Sequence, residues 1–117
     1  MSPKLNFYEV IKMKVFISQP MKGLTDEQIL TVREKAIQQV KETIGSVWSD
    51  EIEIIDSFIQ DAPIEAKPLW YLGKSLELLS TADLCLFIGD WQNARGCRIE
   101  HMCCGQYGIQ TIYFDWE

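Results

Sequence analysis

Apolar positions along this chain switch between two rhythms, and each switch marks an element. Lys14-Val15-Phe16-Ile17-Ser18 is a compact, strand-like run, and Asp83-Leu84-Cys85-Leu86-Phe87-Ile88 is the run expected of a strand buried on both faces. Ile29, Val32, Ala36, Ile37, Val40 and Ile44 instead recur at helical spacing, one buried stripe on a helix that should stop near Gly45. Thr25, with Gln28 three residues on, supplies a capping box for its start. Glu51-Ile52-Glu53-Ile54-Ile55-Asp56 alternates at its beginning, as a sheet-edge strand with one wet side does. Residues 57–67 lack periodicity and contain Pro63, which predicts a long connection of the kind used as a lid or partner surface. From Pro68 onward, Leu69, Leu72, Leu76 and Leu79 mark a second helix. A polar loop from Gly89 to Gly96 then leads into a third helix ending between Gly105 and Gly108, and Ile109 to Phe114 forms the last strand.

Four strands alternating with three helices predict an α/β domain, a three-layer flavodoxin-like (Rossmann-like) arrangement around a parallel four-stranded sheet of order 2-1-3-4. In that order the first and third strands are neighbours whose connections leave in opposite directions, opening a crevice at their carboxyl ends. The Ser18 to Gly23 and Gly89 to Gly96 loops both empty into it. Residues 13–117 are expected to form this one domain, with residues 1–12 an N-terminal extension ahead of a second methionine, Met13.

Composition narrows the function classes. The 17 acidic residues against 11 basic give a net charge of −6, which disfavours a nucleic-acid polymer or an anionic membrane as partner while leaving room for local basic spots. No apolar run reaches the roughly 18 residues of a membrane span, and the first residues lack a secretory core, so a cytoplasmic location is expected. Four cysteines suffice for two disulfides. However, Cys103 and Cys104 are adjacent, Cys97 shares their helix and Cys85 lies in a buried strand, so reduced thiols are the simpler reading. Cys97, His101 and Cys104 share a helix face at i, i+4 and i+7, which leaves a metal site as the minor alternative to core packing. No cofactor is implied.

Candidate chemistry centres on Glu100, which follows the polar loop near the start of the third helix. Backbone amides and the positive helix end there favour an ionised carboxylate, partial burial opposes it, and a carboxylate so held can act as a nucleophile. Lys22 and Arg95 are candidates to hold a phosphate, and Trp91 is a candidate to stack on a base. Arg98 is expected to point elsewhere. His101 lies about 100 degrees from Glu100 around the helix and reads as a neighbour rather than its acid/base partner.

The segment Lys14-Val15-Phe16-Ile17-Ser18-Gln19-Pro20-Met21, the Ala82-Asp83 step into a buried strand and Gly96-Cys97-Arg98-Ile99-Glu100 together resemble the nucleoside 2-deoxyribosyltransferase superfamily. The likeness is greatest to its short uncharacterised bacterial and phage members and covers residues 13–115. It implies cleavage or transfer of an N-glycosidic bond, with Glu100 matching the nucleophile and Gly96 the glycine four residues before it. Ser18 and Gln19 match the first-strand loop that lies against the nucleoside, and Pro20 beside them is a further candidate substrate-binding residue. Where the family carries helper groups, this chain has Ala94, Ser75 and Phe16, with Asp90, Asn93 and Asp56 as candidate substitutes. The expected partner is a small nucleoside or nucleotide. A homodimer or higher oligomer is also expected, with Cys103, Cys104, Tyr107 and the 57–67 connection as candidate contacts. The alternative function is a non-catalytic binder of a nucleotide or ADP-ribose-like ligand.

Overall fold

A computed structural model describes residues 12–48 and 52–115, so the proposed N-terminal extension, Lys12 excepted, lies outside the described residues. The elements are β1 (Met13–Ser18), α1 (Asp26–Trp48), β2 (Ile52–Ile54), α2 (Pro68–Leu79), β3 (Leu84–Ile88), a single 3₁₀ turn (Trp91–Asn93), α3 (Arg95–Tyr107) and β4 (Gln110–Phe114). The four strands form one parallel sheet in the order β2-β1-β3-β4. This is the α/β architecture and strand order expected from the alternation of patterns.

Strand parity sorts the core into two layers. Val15, Ile17, Leu84, Leu86 and Ile88 face α1 through Ala36 and Val40, while Phe16, Cys85 and Phe87 face the opposite side, against Leu79 of α2 and Cys104 of α3. All five β3 residues are buried. Each large apolar side chain among them stabilises the fold by about 1.5–3 kcal/mol, which makes β3 the anchor of both layers.

The capping box forms as expected: the Thr25 amide donates to Gln28 Oε1 at 2.9 Å and the Gln28 amide to Thr25 Oγ1 at 3.1 Å. Two expectations need correction. First, α1 continues through Gly45 to Trp48. A glycine ends a helix only when it turns left-handed, as Gly108 does after α3 with φ 75°. Second, Leu69 at the start of the α2 stripe is 76% exposed, because the first turn of α2 borders the open cleft instead of packing into the core.

Candidate functional site

The carboxyl ends of β1 and β3 meet where their connections diverge, with Ser18 paired in register to Phe87. A cleft of about 1140 Å³ opens there, walled by the loop after β1, the first turns of α2, the loop after β3 and the first turns of α3. Among the described residues this brings together Gln19, Pro20, Lys22, Ser75, Asp90, Asn93, Arg95, Gly96 and Glu100 as expected.

Glu100 is the buried carboxyl that the cleft reaches. Odd and even positions of β1 face opposite layers, so Ser18 shares the α3 side with Phe16, and its Oγ donates to Glu100 Oε1 at 2.6 Å. Glu100 is 6% and Ser18 1% exposed, although the cleft reaches the Glu100 side chain. Burial pushes the Glu100 carboxyl up to about 7, with the Ser18 hydroxyl and then the Arg33 guanidinium pulling it back down. The positive end of the helix is not what holds the charge, as the sequence suggested. Glu100 is the sixth residue of α3, beyond the first turn where the helix dipole acts strongly. A Ser18→Ala variant should therefore raise the Glu100 pKa above about 7. Carboxylate infrared absorption followed through a pH titration checks the direction.

Arg33 was not apparent as a site residue. It sits on the α1 stripe four residues after Ile29 and is 6% exposed, a cation where an apolar side chain is expected. Its Nε donates to Gln19 Oε1 at 3.1 Å, and Gln19 in turn donates from Nε2 to the Ile29 carbonyl at 2.7 Å. The guanidinium lies 5.9 Å over the Phe58 ring and feels Asp56 and Glu100 as its opposing charges. A charged residue interrupting an apolar helical stripe is the signal that marks such a position. Ser57 was likewise missed: it lines the cleft and ties the 57–67 connection to β1 by donating to the Ile17 carbonyl at 3.0 Å.

Several expectations change. Trp91 does not line the cleft. It stacks on His101 with ring centroids 4.2 Å apart and packs against Phe87 and Tyr113. Among the described residues two aromatic rings line the cleft, the buried Phe16 and Tyr71, of which Tyr71, 40% exposed, is the accessible one. Arg98 faces the cleft and donates from Nη1 to the Gln92 carbonyl at 3.3 Å. Asp90 and Asn93 hold each other, with Asn93 Nδ2 2.7 Å from both Asp90 oxygens.

The Cys97, His101 and Cys104 face does not converge on a point. His101 Nε2 pairs with the Tyr113 hydroxyl at 2.8 Å, Cys104 is buried against the Cys85 layer, and no metal-holding group of three occurs among the described residues. Burial raises the Cys97 thiol to about 11 and raises Cys85 and Cys104 too, so all three stay protonated at neutral pH. Being buried, Cys104 is also withdrawn from the candidate subunit contacts, whereas Tyr107 is exposed. No described helix is long and apolar enough to cross a membrane.

Comparison with known proteins adds a fold relative. No family model matches the chain, and no curated protein matches it. Among solved structures it is similar to a conserved protein from Enterococcus faecalis, with a TM-score of 0.62 and 12% identity over 87% of this chain. The likeness is one of fold. The chain spans 62% of that protein's length.

Proposed function

We propose that this protein cleaves or transfers the N-glycosidic bond of a nucleoside or nucleotide, with Glu100 as the nucleophile. The reading is carried by one observation: a nearly buried carboxyl, held at 2.6 Å by Ser18, in the wall of a ligand-sized cleft at the β1/β3 divergence. Glu100 attacks the anomeric carbon, forming a C–O ester bond as the C–N bond breaks and its electron pair leaves on the base, which takes up a proton. Water then opens the ester and frees Glu100. Positive charge developing on the sugar in the transition state is stabilised by the same carboxylate. Asp90 relays the proton to the base, Ser18 and Gln19 orient the Glu100 side of the site, and Tyr71 takes the stacking role that sequence reasoning gave to Trp91. Ser75 and Ala94 line the cleft where the resembled family carries helper groups, which favours hydrolysis over ordinary transfer and keeps a non-catalytic nucleotide binder as the second reading.

The test is chromatographic release of free base from a panel of nucleosides and nucleoside monophosphates. Because the nucleophile must be ionised, base release should rise with pH through about 7, the range to which burial lifts Glu100. A rate that instead falls above that range would make Glu100 a proton donor. Thermal stabilisation by nucleotides without base release would establish the binding module.

A further inference from the structure

The ring cluster beside the loop after β3 takes no part in the chemistry proposed for the cleft. Trp91 opens the 3₁₀ turn, and within the 89–96 loop it is the residue packed on the α3-side core layer. His101, Tyr113 and Phe87 surround its ring, with centroids at 4.2, 5.8 and 5.1 Å. The imidazole is the nearest of the three and the most nearly parallel, at 24°. Its own orientation is set from the sheet edge. Nε2 lies 2.8 Å from the Tyr113 hydroxyl, which also meets Thr111 Oγ1 at 3.1 Å, and Thr111 and Tyr113 stand on one face of β4. A line of contacts thus runs from β4 through His101 to Trp91.

The turn has little else to hold it. It spans three residues, Asp90 supplies no side-chain cap to its amides, and Gly89 enters it with φ 56°. The Asn93 and Ala94 amides bond back within the turn, to the Asp90 carbonyl at 3.1 Å and the Trp91 carbonyl at 3.0 Å. Gln92 accepts from Arg98 Nη1 at 3.3 Å, a long and exposed bond. Asp90 and Asn93 bond to each other and so move with the turn as one unit. Both line the cleft, as Glu100 does, whereas Trp91 and His101 stand behind it.

We propose that His101 is a positioning residue, which through its stack on Trp91 fixes the turn that holds Asp90 at the cleft wall. Its consequence for the reaction rests on the glycosidic reading, in which Asp90 passes a proton to the departing base. His101 follows Glu100 on α3, so one helix sets both groups, Glu100 directly and Asp90 by way of two rings. Replacing the imidazole with a methyl group opens space beside Trp91, and the ring and its turn shift into it. A proton donor displaced by about 1 Å loses much of its effect.

The experiment compares His101→Ala, His101→Phe and His101→Gln with the parent chain on two kinds of purine nucleoside. The ordinary kind needs a proton on its leaving base. An N7-methylated one does not, because its base already carries a positive charge, which the electron pair of the broken C–N bond neutralises. His101→Ala should lower kcat by about tenfold or more for the ordinary nucleoside and by about twofold or less for the methylated one. Phenylalanine keeps a ring against Trp91 and should recover most of the loss. Glutamine keeps a hydrogen-bonding group toward Tyr113 without the ring and should not. Amide exchange gives a reading that needs no substrate: in His101→Ala the Asn93 and Ala94 amides should exchange about tenfold faster while those of β3 stay protected. Should β3 lose protection as well, His101→Gln carries the same comparison. Equal loss on both nucleosides, no loss on either, rescue by glutamine as complete as by phenylalanine, or unchanged exchange at Asn93 and Ala94 overturns the proposal. A parent chain that releases no base from any nucleoside rejects the glycosidic reading instead, and the exchange result then decides whether His101 holds the turn.

Discussion

On the glycosidic reading, an E100Q variant should lose base release by about 10³-fold or more and, above pH 7, be more stable than the parent protein. The loss follows because an amide cannot trap the sugar or balance the charge developing on it. The gain follows from proton linkage. The Glu100 carboxyl is raised from 4.5 to about 7 in the folded state, so between those values the folded protein holds a proton that the unfolded chain has lost. Its contribution to stability is complete below about 4.5, declines as pH rises and is gone above about 7. Glutamine has no proton to lose and escapes the cost of burying a charge, which here is at most about 3 kcal/mol. Urea unfolding at pH 5 and pH 8 should show nearly equal stability at the lower value and a more stable variant at the higher. Equal stability at both would mean that ionised Glu100 is not held away from water.

Arg33→Met should move the rising limb of the pH–rate profile to higher pH. Activity at pH 6 should fall by about tenfold while most of it returns at pH 9. The groups facing Glu100 are Ser18 from β1, Arg33 from α1, Cys85 from β3, and Cys97 and Cys104 from α3 itself. The three thiols are raised by burial and remain neutral, and Asp56 acts on Arg33 from beyond β2. Arg33 is therefore the group that supplies opposite charge to the carboxylate. Lysine at this position restores that charge without the Nε donor to Gln19, so Arg33→Lys should return the limb most of the way toward its original place. A purely structural role for Arg33 would instead depress the rate equally at all pH values.

Much of this molecule was legible in its periodicities. The α1 stripe from Ile29 to Ile44, the Thr25 and Gln28 cap and the continuous apolar run of β3 are local signals, read from spacings of two or 3.6 residues. From their alternation came the strand order, because connection rules leave few ways to stack such units, and with it the meeting of the β1 and β3 loops. The position of Glu100 was legible too, through its place after a polar loop at a strand exit.

What local spacing cannot carry is which side chains meet across the fold. Trp91 and Tyr71 are both aromatic, one in the loop after β3 and the other on α2, where a core or subunit contact is the expected role. Only packing turned Trp91 onto His101 and left Tyr71 on the cleft wall. Arg33 reads in the sequence as a break in an apolar stripe, and becomes a partner of Gln19 and a counter-charge to Glu100 only when α1 lies across the sheet. The chain order of polar and apolar residues thus determined the elements and their topology, since those depend on short-range periodicity and burial. The tertiary structure decided the state of Glu100, because desolvation and Coulombic attraction depend on distances between residues as far apart in sequence as Ser18, Arg33 and Glu100.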